Sequence, residues 1–571
     1  MTGVKNQPAY NNKPIWYFIA CWTLLNILQA CTLEIHADEA YYWLYSRFLD
    51  WGYFDHPPMA ALFIKAGYAL FQNEFGARLL TIICSSAGLY ILWLIARQYA
   101  IKPIWFILIT SCLFILHIYG FTSTPDVPLL FFTILFYYIV KQYLEADGIK
   151  LAFLLAIIIA CLLYSKYHGL LLVIFTVLAN PALFKRKSFW LIAILSLILF
   201  IPHIWWQVSN GYPSLNFHLF DRSAARYKLH YTTDYPLLQL AMSGPFMGWF
   251  IFYSAFKNRI TDSFKRTLVV NAAGIFLFFL LNTLKGKVEA HWPLIGYVPL
   301  LLLSLIYINT SHKNFKWLKV LAIVNVGFIL LVRFAVMIGF EPIKKFEQIK
   351  SYFGFKEWAH LVKQKAGNSY VVMSEGFQNP SKYDFYNNTT KGFSYDARDY
   401  RLTQFDLLPL EERMQHKRVY LLSGVWNTNF TTDTITCTAG TWYGGWIEDF
   451  RTYQKIKIDA GIKQVTAKPE QTLQFDLLIT NPYPYTVNFT NQNVKHAVVL
   501  ETCFFERRDA VDIQATDNSF NNIVLKSGGS THFKVTAKAP FKKGTYDLFF
   551  SIRTHPFNGS RNSHFIKLIV E

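Results

Sequence analysis

The sequence predicts a polytopic α-helical membrane protein that carries a soluble C-terminal region. Of its 571 residues, 53% are hydrophobic and only 16% are charged, whereas a soluble globular protein has about 25% charged residues. Eleven apolar stretches before residue 340 approach the length of roughly 20 residues that a helix needs to cross a bilayer. After residue 440, short segments that alternate apolar and polar residues indicate β-strands. This composition excludes a disordered chain and a disulfide scaffold.

Lysines and arginines predict the orientation of the membrane domain. We expect spans at 15–33, 78–97, 103–120, 126–143, 150–165, 168–184, 188–206, 236–256, 267–284, 292–309 and 318–339. With a cytoplasmic N-terminus, the most basic loops all fall inside, as the positive-inside rule requires. The residues after the last span are then periplasmic or extracellular. The net charge of +19 thus belongs mostly to loops that face lipid headgroups, and nucleic acid is not an expected partner.

Three domains are predicted: a membrane domain at 1–340, a small α/β segment at 341–440 and an immunoglobulin-like β-sandwich at 441–571. The α/β segment should contain helices at 355–365 and 381–386 and strands at 370–373 and 418–422. The sandwich should contain strands at 453–458, 472–479, 496–505, 530–537 and 545–552. No catalytic cluster stands out in the sandwich, which favours a binding or spacer module.

Acidic residues concentrate on the outer face of the membrane domain. Asp38 and Glu39 directly follow the first span. Adjacent carboxylates repel each other and raise at least one pKa unless a cation or a metal intervenes. A carboxylate held in this way can act as a general base toward a hydroxyl group. The alternative is an acid pair that only stabilises the N-terminus of the helix predicted at 41–49.

Three further outer motifs combine acids with lysines and histidines. Asp126 begins the fourth span, Lys166 and His168 lie in a tight hairpin between two spans, and the segment 285–293 contains Lys285, Lys287 and His291. Lysines near the membrane surface suit a phosphate on a lipid. Singly, each could instead be an anchor whose charged end reaches the headgroups. Together they predict a site for an anionic lipid beside a carboxylate base.

These motifs resemble bacterial glycosyltransferase family 39-type proteins, relatives of protein O-mannosyltransferases, the lipid A aminoarabinose transferase and the lipopolysaccharide-core galacturonosyltransferases. The resemblance rests on the Asp-Glu pair, the run Gly-Tyr-Phe-Asp-His-Pro-Pro at 52–58, Thr-Pro-Asp-Val-Pro at 124–128, Ser-Lys-Tyr-His at 165–168 and the segments 201–207 and 285–293. It extends over residues 15–340. It implies a GT-C fold with its active site on the outer face, a polyprenyl-phosphate-linked sugar as donor, and inversion at the anomeric carbon.

The resemblance also implies roles for individual residues. Asp38 matches the catalytic acidic residue and is our choice for the general base, and Glu39 would support it or bind the acceptor or a metal. The donor phosphate is assigned to Lys166, Lys285, Lys287 and His291. Substrate contacts are expected from Tyr41, Tyr42, Asp55, His56, Asp126, Tyr167, His168 and Arg222. A divalent metal on these acids and histidines is possible, but nothing in the spacing demands one.

The resemblance therefore implies an inverting glycosyltransferase, and we expect it in a bacterial inner membrane. Its acceptor would be a hydroxyl of a lipid-linked glycan, of a lipopolysaccharide component or of a protein Ser or Thr. One alternative is a transporter or flippase for a lipid-linked sugar, which should place ionisable residues at mid-span and show repeated halves. Another is a membrane-anchored binding or assembly protein that acts through its sandwich.

Overall fold

The computed structural model describes residues 12–221, 227–311, 315–374, 376–395, 398, 401–506 and 509–571. The chain divides into two compact units, Met1–Phe353 and Gly354–Glu571. In the described residues, the first unit is helical and the second contains all of the strands. This architecture confirms the predicted fold class, an α-helical membrane domain followed by a strand-rich C-terminal region.

Six helices of the first unit are long and apolar enough to cross a membrane: Lys13–Thr32, Glu74–Tyr99, Asp126–Glu145, Lys187–Ser209, Ser263–Asn282 and Lys316–Met337. The other predicted spans correspond to shorter or interrupted helices: Pro103–Cys112 with Phe114–Ile118, Ile149–Ser165, Gly169–Ala179, Leu229–Ser243 with Gly248–Phe256, and Leu294–Thr310. Short helices on the predicted outer side are Ala37–Arg47, Met59–Tyr68, Pro213–Asn216, Glu341–Lys344 and Glu347–Lys350.

Two of the interrupted helices are broken beside each other. Gly244 ends one helix with φ of 132°, and a Cβ at this position would lie 2.6 Å from the Cys112 carbonyl oxygen. The buried side chain of Asn325 bridges both breaks. Its Oδ1 accepts from the Phe246 N–H at 2.8 Å, and its Nδ2 donates to the Cys112 carbonyl at 3.1 Å. One amide thus satisfies backbone groups that would cost several kcal/mol each if left bare in lipid.

The second unit begins with a five-stranded α/β sheet. Its strand order is Gly392–Ser394, Tyr370–Met373, Val419–Ser423, Gly440–Ile447 and Asp433–Cys437. The first three strands are parallel and the last two are antiparallel. The accompanying helices are Phe355–Ala366, Gln378–Tyr386, Gln404–Leu407 and Leu410–Met414. The boundary expected between residues 440 and 441 falls at the start of a strand of this sheet.

The remaining strands form the predicted sandwich. Five strands lie in the order Asp509–Ala515, Val498–Glu506, Gly544–Thr554, Ile566–Val570 and Gln464–Ala467. Three more lie in the order Ser530–Lys538, Thr472–Thr480 and Lys457–Asp459, and Val524–Leu525 pairs with Val487–Asn488. Their apolar faces form one core, centred on residues such as Leu477, Leu500 and Leu548.

The prediction of a strand at 453–458 was wrong for most of that segment, because only Lys457–Asp459 is a strand. In residues 453–456, backbone groups form hydrogen bonds with side chains instead of with a neighbouring strand. Asn562 Nδ2 donates to the carbonyls of Tyr453 and Ile456 at 2.8 and 2.9 Å. The N–H of Lys455 donates to the Tyr483 hydroxyl at 3.0 Å.

A buried carboxylate, Glu411, connects the α/β sheet region to the sandwich. It accepts from the Thr452 hydroxyl at 2.7 Å, the Gln454 N–H at 2.9 Å and the Tyr483 hydroxyl at 2.5 Å. Burial raises the pKa of Glu411 because these neutral donors and the charge of Lys455 only partly offset the lost hydration. Burial also raises the pKa of the nearby Asp406 to about 7.

Candidate active site

The helix Ala37–Arg47 presents the two adjacent acids in different directions. A capping box fixes its first turn: Nδ1 of His36 accepts from the Asp38 N–H at 3.3 Å, and Glu39 accepts from the His36 N–H at 3.0 Å. Successive helical residues are about 100° apart around the axis. As a result, the Asp38 side chain is 47% exposed, whereas that of Glu39 is fully buried.

Glu39 is paired with a buried arginine. Arg78 donates to both carboxylate oxygens, from Nη2 at 2.7 Å and from Nε at 3.0 Å, and the Ser123 N–H donates at 2.7 Å. Burial alone would raise the pKa of Glu39, but the Arg78 charge and these donors outweigh it, and the pKa is lowered. Arg78 also donates to the carbonyls of Ala30 and Leu33, which fixes the end of the first helix.

We therefore interpret Glu39 as a residue that positions Asp38. Arg78 was not among the predicted site residues. It stands alone at the predicted start of an apolar span, and a lone charge in such a place usually has a buried partner. That signal could have identified it.

A second ion pair lies on the same face. Lys166 Nζ is 2.8 and 3.1 Å from the two oxygens of Asp126, and both side chains are buried. Nε2 of His291 lies 3.9 Å from the same carboxylate. Burial lowers the pKa of His291 despite the opposing charge of Asp126, so its imidazole is neutral at pH 7.

Three carboxylates, those of Asp38, Asp55 and Asp126, lie close to Tyr42. Burial raises its pKa far above the ordinary value, and the charges of Asp38, Asp55 and Asp126 raise it further. Its ring lies edge-on to His56, with 5.7 Å between the ring centroids. The structure thus brings together seven of the predicted residues: Asp38, Tyr42, Asp55, His56, Asp126, Lys166 and His291.

Tyr167 has its hydroxyl engaged in an ordered chain of hydrogen bonds. Nδ1 of His203 lies 2.7 Å from the Trp51 carbonyl, which can only accept, so this nitrogen carries the proton. Nε2 of His203 then accepts from the Tyr167 hydroxyl at 2.9 Å, and Gln207 donates to that hydroxyl at 3.0 Å. These contacts fix the outer loop around Trp51 against the helix Lys187–Ser209.

The remaining predicted residues are not among these seven. Lys287 is 64% exposed and pairs with Glu289 at 3.3 Å, and Lys285 is also exposed. Tyr41 is buried against Tyr45 at 4.7 Å between centroids. The ring of His168 packs edge-on against Phe279, and Arg222 lies outside the described residues.

The site does not fit a divalent metal ion. Glu39 is bound by Arg78 and Asp126 by Lys166, so neither carboxylate is available as a ligand. Within the described ranges, no three His, Cys, Asp or Glu side chains lie close enough together to hold a metal.

A family model and a curated relative each match part of the chain. The family described as dolichyl-phosphate-mannose-protein mannosyltransferase matches residues 55–206. Lipid A galacturonosyltransferase RgtD of Rhizobium johnstonii is 22% identical over 282 residues, which cover 46% of this chain and 59% of that relative. The chain therefore matches less than two thirds of the relative's length.

Solved structures share the fold. ArnT from Cupriavidus metallidurans in the apo state superposes with a TM-score of 0.56 at 13% identity, covering 75% of this chain and 97% of ArnT. ArnT bound to undecaprenyl phosphate gives the same TM-score and identity, with coverages of 76% and 98%. At this identity, the likeness shows the fold.

The helices and their outer-face cluster thus define a GT-C membrane protein. The family model, the similarity to RgtD and the fold shared with ArnT support a GT-C glycosyltransferase family, which confirms the resemblance found in the motifs.

Proposed function

We propose that this protein is an inverting glycosyltransferase that transfers a sugar from a polyprenyl-phosphate donor to a hydroxyl on the outer face of a bacterial inner membrane. The family model, the similarity to lipid A galacturonosyltransferase RgtD and the fold shared with ArnT bound to undecaprenyl phosphate support this class of donor. The acceptor would be a lipid-linked glycan or lipopolysaccharide component, or a protein Ser or Thr.

The exposure of Asp38 carries the proposal. Among the four carboxylates around Tyr42 and the Asp38 helix, Glu39 is bound to Arg78, Asp126 to Lys166 and Asp55 to the Tyr45 hydroxyl. Asp38 is half exposed, with the His36 imidazole at 3.8 Å. A general base must reach the hydroxyl it deprotonates, and Asp38 has the accessible carboxylate.

The proposed step is a single displacement. The acceptor oxygen bonds to the anomeric carbon while the bond from that carbon to the phosphate oxygen breaks. The acceptor proton passes to Asp38, and the electron pair of the broken bond leaves with the polyprenyl phosphate. Because the phosphate is already a good leaving group, the protein mainly has to orient the reactants and stabilise the growing negative charge.

We propose that Lys166 stabilises that charge. Its ammonium group has three N–H donors, and the two oxygens of Asp126 occupy at most two of them. The neutral imidazole of His291 can donate a further hydrogen bond from the same side. The exposed Lys285 and Lys287 are proposed to contact the donor phosphate as it approaches from the membrane surface.

The test compares glycan and glycolipid mass profiles of cells that carry the wild type, Asp38→Asn or Asp234→Asn at matched expression. Asp234 is an exposed acid on the helix Leu229–Ser243 and serves as the control. We expect one sugar increment to disappear with Asp38→Asn and to persist with Asp234→Asn, and its mass identifies the sugar and the acceptor class. An unchanged profile for Asp38→Asn would refute the proposal.

A further inference from the structure

The three parallel strands of the α/β sheet in the soluble unit end together at one edge. Tyr370–Met373 lies between the other two parallel strands, and Met373 is the register partner of both Ser394 and Leu422. In open α/β sheets, ligands bind in a crevice outside the carboxyl ends of the strands. The crevice forms where the connections after two adjacent strands leave toward opposite faces of the sheet. The carboxyl edge of this sheet is therefore the place where such a site can exist.

The connection after the central strand Tyr370–Met373 leaves toward one face. It leads into the helix Gln378–Tyr386. Tyr383 of this helix packs in one buried cluster with Met373 and Leu422, which belong to the central strand and to its parallel neighbour. The helix thus covers the face of the sheet to which these two side chains point.

The connection after the neighbouring parallel strand leaves toward the opposite face. Successive strand residues alternate between the two faces, so Leu421 and its partner Gly445 belong to the face opposite to that of Leu422. A Cβ at Gly445 would lie 1.7 Å from the Phe430 carbonyl oxygen, because the loop 424–431 crosses this face directly over the glycine. The two adjacent strands therefore meet the condition for a crevice between their carboxyl ends.

Polar side chains without charge lie at these strand ends. Ser374 directly follows Met373, and the register of the two strands places it beside Ser423. Gln378 and Asn379 begin the helix that follows the central strand. The two serines and the two amide residues are all half-buried. Their hydroxyl and amide groups can each donate and accept hydrogen bonds.

Two aromatic rings stand at the same end of the sheet. Tyr443 is the partner of Ser423 in the adjacent antiparallel strand. Trp426 packs edge-on against it, with 5.4 Å between the ring centroids, and is 46% exposed. The loop that carries Trp426 is fixed, because the Asn427 carbonyl accepts from the Thr431 N–H at 2.9 Å and the Asn427 N–H donates to the Thr431 hydroxyl at 3.1 Å. Trp426 therefore offers a fixed apolar surface to solvent.

We infer that this edge of the soluble unit binds an oligosaccharide. A sugar ring has an apolar face of C–H groups and a rim of hydroxyls, so it needs an aromatic surface beside groups that both donate and accept hydrogen bonds. A phosphate or a nucleotide would instead need arginine or lysine, and none of the six side chains at this edge carries a charge. We call them the sheet-edge site: Ser374, Gln378, Asn379, Ser423, Trp426 and Tyr443.

The test measures binding of the whole chain, purified in detergent, to an array of lipid-free oligosaccharides from bacterial cell surfaces. The wild type is compared with Trp426→Ala, Trp426→Tyr, Phe541→Ala and Asp38→Asn, and the dissociation constant is measured for the oligosaccharide that binds best. Phe541 is an aromatic residue of the same unit that is 78% exposed in the loop between two sandwich strands, and it is the matched control. Asp38→Asn removes the proposed general base of the membrane unit.

We expect the wild type to bind at least one oligosaccharide and Trp426→Ala to weaken this binding about tenfold, as the loss of a central aromatic contact does. Trp426→Tyr keeps an aromatic ring and should retain most of the affinity, whereas Phe541→Ala and Asp38→Asn should retain all of it.

Three outcomes would overturn the inference: no binding of the wild type to any member of the array, equal binding by Trp426→Ala and the wild type, or loss of binding in Asp38→Asn. The inference does not depend on the proposed function. Cells in which Asp38→Asn leaves the glycan profile unchanged would refute sugar transfer by this residue and leave the sheet-edge site intact.

Discussion

Glu39 in the membrane unit and Glu411 in the soluble unit are both buried, yet their surroundings differ. Glu39 faces a guanidinium group and two backbone N–H groups. Glu411 faces two hydroxyls and one backbone N–H. The pKa of Glu39 is lowered and that of Glu411 is raised. With the same side chain and similar burial, the charge of the partner decides the direction.

The two environments assign different tasks to the same residue type. A carboxylate paired with a buried arginine stays ionised, because either charge left alone would be very costly. The Glu39–Arg78 pair thereby holds the helix Ala37–Arg47 at the end of the first helix. A carboxylate among neutral donors can gain a proton without losing its place in the structure. The membrane site uses the first arrangement beside its candidate base, and the soluble unit uses the second between its two sheet regions.

Glu39→Gln should have the largest effect. It leaves the Arg78 charge buried without its counter-ion, which costs about 3–5 kcal/mol of unfolding free energy. Thermal unfolding in detergent micelles measures the change, and Asp38→Asn, which alters the exposed neighbour, should cost less than about 0.5 kcal/mol. Equal stability of Glu39→Gln and the wild type would mean that the Glu39–Arg78 ion pair does not stabilise the fold.

The double variant Glu39→Gln, Arg78→Gln should be more stable than the two single changes predict when added. Each single change leaves one buried charge unpaired, whereas the double variant leaves none, so a coupling energy of about 1–3 kcal/mol is expected. The same unfolding measurement on all four proteins completes the cycle. Additive losses would show that the two side chains do not stabilise each other.

Glu411→Gln should have a smaller effect, about 1 kcal/mol. The amide oxygen still accepts from Thr452 and Gln454, and the Tyr483 hydroxyl can turn to accept from the new NH₂ group. Chemical unfolding followed through the soluble unit measures the loss. A loss as large as that of Glu39→Gln would contradict the distinction drawn between the two sites.

The pH dependence of stability has opposite signs at the two carboxylates Glu39 and Asp406. Glu39 has a lowered pKa, so its stabilisation is present above about pH 4.3 and is lost as the pH falls toward the folded value. Asp406 has a pKa of about 7, so stability is highest below about pH 4 and is lost as the pH rises to about 7.

Hydrogen exchange resolves the two regions in one protein. Protection factors in Ala37–Arg47 should fall on acidification, whereas those in residues 403–414 should fall as the pH rises toward 7. Asp406→Asn removes the titrating group and should flatten the second dependence. Parallel changes in both regions would show that pH acts through something other than these carboxylates.

The sequence predicted the elements that depend on local periodicity. The helix at 355–365 and the strands at 370–373 and 472–479 were confirmed within one residue at either end. The strand at 453–458 was predicted from the same kind of alternation. There the backbone hydrogen-bonds to the side chains of Tyr483 and Asn562, which lie at least 25 residues away in the sequence and give no local signal.

The candidate site was predictable in composition but not in pairing. Asp38, Asp126, Lys166 and His291 were identified from motifs at span ends, and the structure brings them to one face. The partner of Glu39 could not be deduced, because 39 residues separate it from Arg78 and several outer lysines and arginines were equally available. Likewise, apolar content predicted a continuous span at 236–256, whereas the structure breaks it at Gly244.

The Asn325 bridge has a consequence for biogenesis. The pieces Leu229–Ser243 and Gly248–Phe256 contain 15 and 9 residues, and neither alone reaches the roughly 20 residues of a stable span. The amide that caps their junction belongs to a helix synthesised about 80 residues later. The Phe246 N–H and the Cys112 carbonyl therefore lack this hydrogen-bond partner until Lys316–Met337 has been synthesised and inserted.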